Sequence, residues 1–361
     1  MKKIIFFIES MRVGGAQKNL YYLINNLSKT KHAIYLVTFN RTSIDYKLDK
    51  NVNIIELNLP GSSNNIFISL TKNLVKILKF RITIKKINPE VVISFISTTN
   101  VLVILASLFL KKKTIISERN DPEEQKIGRI WTFLRFISYR LASLITINSI
   151  HGYEFIKNKM RIKKVKYIPN FFIRNSEPKV KANLKNYILA VGRLHIQKGF
   201  DILINDFVKF KNQQKNNLKL VILGEGDELN YLKKLVPKRY KNEILFLGKI
   251  DPSPYYKSCK LFIIPSRYEG SPNVLFEAMA FGLTIIVRKS SKEIQNYLKN
   301  RSNAILIDRD KNINSIDEGI NFCIKNQDLA KKFGINAKKS INSYDNRKIL
   351  EKWTKIINQA I

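Results

Sequence analysis

YILAVGRLHIQKGFDILI, residues 187–204, holds a short apolar run, a loop with two cations and the start of an amphipathic pattern. It reads as a buried strand over 187–192, a turn carrying Arg193 and Lys198, and a helix beginning near Phe200. Its position makes it decisive. The same strand-then-helix unit has already run through the first 170 residues and ends with KVKYIPNFF (164–172). A segment of linker composition, EPKVKANLKN (177–186), follows, and then the unit starts again. Short apolar strands alternating with longer helices predict a parallel sheet covered on both faces. A restart predicts two doubly wound sheets, with a boundary near residues 170–185 and domains over 1–172 and 173–361.

Before the restart, KKIIFFIE (2–9), AIYLVTF (33–39), VNIIELN (52–58), VVISFIS (91–97), KTIISE (113–118) and SLITIN (143–148) read as strands. Helical patterns lie between them at 16–29 and 66–88. After it, LKLVILG (218–224), ILFLG (244–248), LFIIPS (261–266), TIIVR (284–288) and AILID (304–308) continue the second set. The last helix, about 346–359, gathers Ile349, Leu350, Trp353, Ile356 and Ile357 on one side. That face suits packing back onto the first half.

The chain has 361 residues, 45% of them hydrophobic, which is enough for two cores. Lysine and arginine number 64 against 28 acidic residues, a net charge of +36. Such a balance attracts an anionic partner: nucleic acid, a membrane face or a phosphorylated substrate. Lys, Ile and Asn are abundant together, so compositional bias accounts for part of it. The excess is spread over both halves, with 29 basic and 10 acidic residues in 1–170. Cys259 and Cys323 lie far apart without partners at metal-ligand spacing, so neither a disulfide framework nor a zinc site is expected. A reducing cytoplasm fits. The start MKKIIFFIES imitates a signal peptide, but Glu9 interrupts the apolar run and no small-residue cleavage site follows. VLVILASLFL (101–110) is about half of the roughly 20 residues a spanning helix needs. Membrane contact is therefore expected to be peripheral.

In open α/β sheets ligands bind beyond the carboxyl ends of strands, so the residues after each strand matter most. After the first strand, Gly14 and Gly15 precede a helix. Glycines admit close backbone approach and helix-start amides favour anions, although an ordinary turn has the same composition. After the restart strand, Arg193 and Lys198 could clamp a diphosphate, arginine bidentately and lysine as a compact charge. LGEGDELNYL (223–232) carries a Gly-x-Gly pattern, weak by itself, that suits either part of a base pocket or a strand cap. FLGKI (246–250), with Gly248, Lys249 and Ile250, has the same ambiguity.

PSRYEGSPNVLFEAMAFG (265–282) follows the strand LFIIPS. Ser271 is a good N-cap, Pro272 suits the first helical position and Gly282 ends the helix. Glu269 then lies in the loop and Glu277 one to two turns into the helix. Helix-start amides, about 270–274, suit phosphate or sugar oxygens. Carboxylates repel phosphate but accept well from vicinal diols, so the two glutamates suit hydroxyls. Two cations for a diphosphate and two carboxylates for hydroxyls are what a nucleotide sugar needs. The alternative is that Glu269 caps and Glu277 is surface.

GGAQ, VGRLHIQKGFDILI, LGEGDELNYL, FLGKID and PSRYEGSPNVLFEAMAFGLTIIV resemble, in order and spacing, retaining glycosyltransferases of the GT-B fold. That fold has two Rossmann-like domains facing across a cleft. The family is the large one that builds bacterial polysaccharides, family 4 or "glycosyl transferases group 1". The resemblance implies that Arg193 and Lys198 neutralise the donor diphosphate and that Glu269 contacts the transferred sugar. It implies that Glu277 binds the ribose, and that Gly248, Lys249 and Ile250 line the donor site. The stretch Gly270, Ser271, Pro272, Asn273 and Val274 is implied to meet the sugar and phosphate through its amides. Gly14 and Gly15 would face the diphosphate. Retention by front-side attack, with no metal ion and no cofactor besides the UDP-type donor, is also implied. One departure matters: where many members carry a histidine, IISERNDPEEQ (115–125) has Glu118, Arg119 and Asn120 as candidate donor or acceptor contacts. His151 and His195 read as structural.

Lipid-diphosphate glycans are common acceptors in the resembled family. The helical stretches 66–88 and 126–144 mix Lys and Arg with Trp, Phe, Leu and Ile, which suits docking on the anionic inner face of the cytoplasmic membrane. Helices packed on their sheet with cations outward have the same composition. A nucleic-acid-binding protein lacks any recognition module here. An epimerase on the same fold needs a carboxylate–histidine set, and none is evident in the sequence.

Overall fold

The computed structural model describes residues 1–12, 14–39, 44–59, 66–125, 127–172, 182–269, 271–290, 292–308, 313–342 and 344–361, with the backbone alone for 66, 67, 292 and 293. Half of the expected linker, 177–181, and Gly270 lie outside the described residues. The chain divides into two compact units, Met1–Phe171 with Asn346–Ile361, and Phe172–Asp345.

The first unit holds β1 (Lys2–Phe7), α1 (Gly15–Leu27), β2 (His32–Thr38), β3 (Val52–Glu56), α2 (Ile66–Ile87), β4 (Val91–Phe95), α3 (Ser97–Ser107), β5 (Lys113–Glu118), α4 (Arg129–Ser138), β6 (Leu144–Ile147), α5 (Ile150–Glu154) and β7 (Val165–Tyr167). The second holds β8 (Tyr187–Val191), α6 (Phe200–Gln213), β9 (Lys219–Leu223), α7 (Leu229–Leu235), β10 (Ile244–Phe246), α8 (Ser253–Tyr256), β11 (Leu261–Ile264), α9 (Asn273–Phe281), β12 (Ile285–Arg288), α10 (Lys292–Tyr297), β13 (Ile305–Ile307), α11 (Ile316–Lys325) and α12 (Gln327–Asn342). The last helix, α13 (Asn346–Ala360), belongs to the first unit.

Both sheets are parallel, ordered β3-β2-β1-β4-β5-β6-β7 and β10-β9-β8-β11-β12-β13. In each, the chain runs outward from its first strand and then crosses to that strand's other side. The loops leaving β8 and β11 therefore turn opposite ways over adjacent strands, which opens a crevice at their carboxyl ends. β1 and β4 make the corresponding point in the first unit.

Alternation with period two sorts the second core. Ile188, Ala190, Leu220 and Ile222 pack against Phe200, Leu203 and Phe207 of α6. Tyr187, Leu189, Val221 and Leu223 share the other face with Leu275, Phe276 and Met279 of α9. Thus α6, which follows β8, and α9, which follows β11, cover opposite faces of one sheet.

In the first unit α13 buries Trp353 against Phe95, ring centroids 6.0 Å apart and nearly parallel. The Arg119 guanidinium lies over both rings, at 4.9 and 5.5 Å. The apolar run 101–110 lies mostly in α3, and no helix among the described residues is long and apolar enough to cross a membrane. The 126–144 stretch becomes a helix only from Arg129.

The outward faces of α2 and α4 are not cationic alone. Leu70, Leu74, Leu78 and Ile82, four residues apart, form an exposed ridge on α2. Ile130, Phe133, Phe136 and Ile137 are exposed on α4.

Candidate active site

The turn after β8 is built by its neighbours. The His195 carbonyl accepts from the Lys198 amide at 2.8 Å, and His195 Nδ1 accepts from the Gln197 amide at 3.2 Å, so His195 caps the turn. Burial, and secondarily Arg193, lowers its imidazole pKa. Gly199 ends the turn at φ +68°, where an added Cβ would sit 2.3 Å from the Pro265 carbonyl oxygen. Only glycine lets the Lys198 turn close on the end of β11. Arg193 is exposed, and its side chain has no hydrogen-bond partner among the described residues.

The Gly-x-Gly pattern resolves here. Gly224 and Gly226 have φ +147° and +157°, and a Cβ on either would lie 1.9 Å from Gly192 O or 2.2 Å from Leu194 O. The Leu194 amide donates to Glu225 O at 2.8 Å and the Gly224 amide to Gly248 O at 2.8 Å. The glycines let the turns after β8, β9 and β10 stack backbone on backbone, which holds Arg193 at the strand end. Gly248 has φ +74° in open surroundings, with Lys249 and Ile250 exposed beside it.

Across the crevice, Glu269 is buried in the loop after β11. Its Oε1 takes Lys198 Nζ at 2.5 Å and Ser266 Oγ at 2.6 Å. Oε2 takes no hydrogen bond among the described residues. The sequence suggested separate duties, cations for phosphate and carboxylates for hydroxyls. The folded chain instead couples Lys198 to Glu269. A carboxylate with one oxygen anchored and the other open can accept from a hydroxyl in fixed orientation.

Helix α9 starts later than expected. Its N-cap is Pro272, not Ser271, and the first helical residue is Asn273. Proline's fixed φ suits this entry, and the Leu275 amide bonds Pro272 O at 3.0 Å. The amide of Asn273 and, a step further, that of Val274 therefore open the helix. Gly282 closes it at φ +70°. Glu277 is buried and accepts from the Tyr256 hydroxyl at 3.0 Å. Burial, with Glu277 adding to it, pushes the Tyr256 phenol well above its ordinary pKa. Tyr256 was not legible as a site residue because it lies 21 residues upstream, on α8.

In the first unit Gly14 is the N-cap of α1 in extended backbone, φ −175°, and its amide donates to the Tyr46 hydroxyl at 3.2 Å. Gly15 begins the helix. Glu118 is wholly buried at the end of β5. It accepts from Ser97 Oγ at 2.8 and 2.9 Å, Tyr139 Oη at 2.6 Å and the amides of Arg119 and Asn120 at 3.0 and 3.3 Å. Its carboxylate holds the turns after β4 and β5 together. Arg119 is buried with Nη1 on Asn170 Oδ1 at 3.0 Å, and Asn120 is half-buried.

A carboxylate–histidine set does exist, contrary to the sequence reading. His151 Nδ1 meets Asp121 Oδ2 at 2.6 Å and Nε2 meets Glu123 Oε2 at 3.1 Å. Both ring nitrogens are occupied by carboxylates, so the set braces the turn after β5 and leaves neither nitrogen to exchange a substrate proton.

Residues 172–340 match the model of a family described as glycosyl transferases group 1. An α-1,4-N-acetyl-D-galactosaminyltransferase of Campylobacter jejuni, named for an acceptor on PP-undecaprenol, is 26% identical over 100% of this chain and 99% of its own. The amylovoran biosynthesis glycosyltransferase AmsD of Erwinia amylovora is 27% identical over 99% of this chain and all of its own. Among solved structures, Anabaena HepE in complex with UDP and glucose superposes with a TM-score of 0.80, at 17% identity, over 99% of this chain and 100% of that one. WaaG, a glycosyltransferase of lipopolysaccharide biosynthesis, superposes with a TM-score of 0.75, at 15% identity, over 98% and 99%. Two parallel sheets of GT-B type, the paired strand-end loops of the second and these likenesses agree: residues 172–340 match the glycosyl transferases group 1, and the whole chain is similar to glycosyltransferases of bacterial polysaccharide synthesis.

Proposed function

We propose that the protein is a retaining glycosyltransferase that moves a hexose or N-acetylhexosamine from a UDP-sugar to a lipid-linked glycan during surface polysaccharide assembly. The observation that carries this reading is the Lys198–Glu269 contact at the β8/β11 crevice, with Arg193 exposed beside it. The C. jejuni relative's lipid-diphosphate acceptor and the UDP in the HepE complexes support the two substrates.

Arg193 and Lys198 stabilise the diphosphate and the charge that grows on it as the glycosidic bond breaks. Glu269 Oε2 accepts from the sugar's hydroxyls and orients its ring. Glu277, held by Tyr256, accepts from the ribose. The amides opening α9 meet sugar or phosphate oxygens, and Lys249 and Ile250 flank the base. Attack from the face the leaving phosphate occupies retains the anomeric configuration. Charge compensation falls to the two cations, so the reading requires neither metal ion nor cofactor.

The acceptor's lipid calls for the protein to work at the cytoplasmic face of an anionic membrane. The exposed apolar ridges of α2 and α4, interspersed with lysine and arginine, supply apolar and electrostatic attraction together.

The test is UDP, GDP or ADP release from a panel of nucleotide sugars, with lipid-diphosphate glycans as acceptors and EDTA present or absent. Turnover with UDP-sugars, unaffected by EDTA and giving the α-linked product from an α-linked donor, is expected. Inversion, or release only from GDP- or ADP-sugars, overturns the reading.

A further inference from the structure

The Lys198–Glu269 contact joins two loops that leave different strands, and neither residue by itself fixes how far apart the loops sit. A second set of contacts does. Arg267 donates Nη1 to Asp201 Oδ1 at 2.7 Å and Nη2 to Asp201 Oδ2 at 2.6 Å, a two-pronged pair. The same Nη1 reaches the Ile196 carbonyl at 2.8 Å. The Arg267 amide donates to Gln197 O at 2.8 Å, and Gln197 Nε2 donates to Tyr268 O at 3.2 Å. The guanidinium's hydrogen bonds hold the Asp201 carboxyl below its ordinary pKa, and Asp201 raises that of Arg267.

Arg267 is two residues from Glu269, and Asp201 is three from Lys198. A planar fork on a carboxylate fixes both distance and orientation, which a single contact does not. Asp201 lies in the first turn of α6, an element anchored in the core by Phe200, Leu203 and Ile204. The fork ties the Arg267–Glu269 loop, which leaves β11, to that anchored helix.

We propose that Arg267 and Asp201 are positioning residues: their paired hydrogen bonds set the register between the Lys198 turn and the Glu269 loop, and thereby the geometry in which Glu269 and Lys198 meet the donor. The inference rests on the donor roles proposed for Lys198 and Glu269. Arg267 and Asp201 touch neither sugar nor phosphate. They act through the two residues that do.

Two measurements on the full chain test it. The first uses UDP release from UDP-N-acetylgalactosamine. A displacement of reacting groups by about 1 Å costs up to about 10²-fold, so Arg267→Ala and Asp201→Asn should each lower kcat about tenfold or more. Donor KM should move much less. Residues acting as one pair are non-additive, so the double variant should be no slower than either single one. Arg267→Lys, which keeps charge but loses the fork, should fall between.

The second measurement needs no donor: acetylation of the Lys198 amine by acetic anhydride, followed by mass spectrometry. Loss of the fork should free Lys198 from Glu269 and speed its labelling several-fold, while other lysines react as before. Wild-type labelling in Arg267→Ala and Asp201→Asn overturns the proposal, as does a kcat loss that is additive or matched by global unfolding. Lys198→Ala and Glu269→Ala separate the two readings. Full UDP release in both sinks the donor reading. Inactivity in both, with normal Arg267 and Asp201 variants, sinks only the positioning role.

Discussion

Lys198 Nζ lies 2.5 Å from Glu269 Oε1 although 71 residues separate them. They meet because β8 and β11 are spatial neighbours while the chain spends β9 and β10 on the far side of β8. The topology thus brings a cation and a carboxylate to one strand-end crevice. On the proposed reading, a donor diphosphate entering it shares Lys198 with Glu269, which keeps Ser266 as a second anchor.

Removal of either partner should have unequal effects on stability. The Glu269 side chain is 6% exposed and that of Lys198 is 22% exposed. Leaving the more buried charge unpaired is worse, so Lys198→Ala should destabilise more than Glu269→Ala, by about 1–3 kcal/mol in all. Each should lower kcat by about 10²-fold or more, the usual scale for a lost electrostatic contact in a transition state. Urea unfolding and UDP release measure the two effects. Equal stability losses would mean that the pair is better solvated than its burial implies.

The glycines after β9 and β10 predict a graded series. Gly224→Ala and Gly226→Ala place a methyl within 1.9 and 2.2 Å of a backbone oxygen, at φ values that side chains rarely adopt. Neither backbone can retreat without separating stacked turns, so each should cost about 3 kcal/mol or more and displace Arg193. Gly248→Ala has φ +74° but open space around it, so strain alone remains, about 1–2 kcal/mol. Thermal unfolding of the three variants should rank them in that order, with activity lost in the first two.

This series also shows what a sequence can reveal. Strand-helix alternation is local, so both sheets and the helices on them were legible, as were the strand ends where Arg193, Lys198 and Glu269 sit. Gly-x-Gly is ambiguous in sequence because its cause, the Gly192 and Leu194 carbonyls, lies in the turn after another strand. The Lys198–Glu269 pairing was hidden for the same reason: strand order is not written in strand sequence. Glu118 reads as a ligand contact in sequence because nothing near it announces Ser97 or Tyr139, 21 residues away on either side. Propensity assigns the N-cap to Ser271 and the first helical position to Pro272, yet the helix starts one residue later, with Pro272 as its cap. His151 sat 30 residues from the Asp121 it pairs with.

Buried neutral groups predict a loss of stability in alkali. Burial pushes the Cys323 thiol from 9.0 to about 12 and the Tyr187 phenol from 10.0 to about 12. Unfolded, these groups lose their protons near pH 9 and 10; folded, they hold them to about pH 12. The folded state therefore binds more protons across that interval. Their contribution is complete below pH 9, declines as pH rises, and levels off above about 12. Each group adds a slope of up to about 1.4 kcal/mol per pH unit. Cys323→Ala should lessen the fall across pH 9–12, and Tyr187→Phe the fall across pH 10–12, in urea midpoints measured at half-unit steps. An unchanged slope in both would show that these groups titrate normally in the fold.

The α2 and α4 ridges separate binding from folding most cleanly. Leu74 is 57% exposed, Ile82 63% and Phe133 63%, so each has little native burial to lose. Replacement of exposed side chains usually changes stability by no more than about 0.5 kcal/mol. Leu74→Glu, Ile82→Glu and Phe133→Glu should therefore unfold with the wild type. On a bilayer the same changes remove apolar insertion and add repulsion from anionic lipid, while each nearby lysine or arginine contributes about 1 kcal/mol of attraction. Flotation with anionic vesicles should show wild-type binding that weakens at high salt and is lost in the triple variant, with UDP release from soluble substrates intact. Vesicle binding that survives the triple variant would assign the membrane contact to another face, and a fall in stability would mean that the ridges are covered by protein in solution.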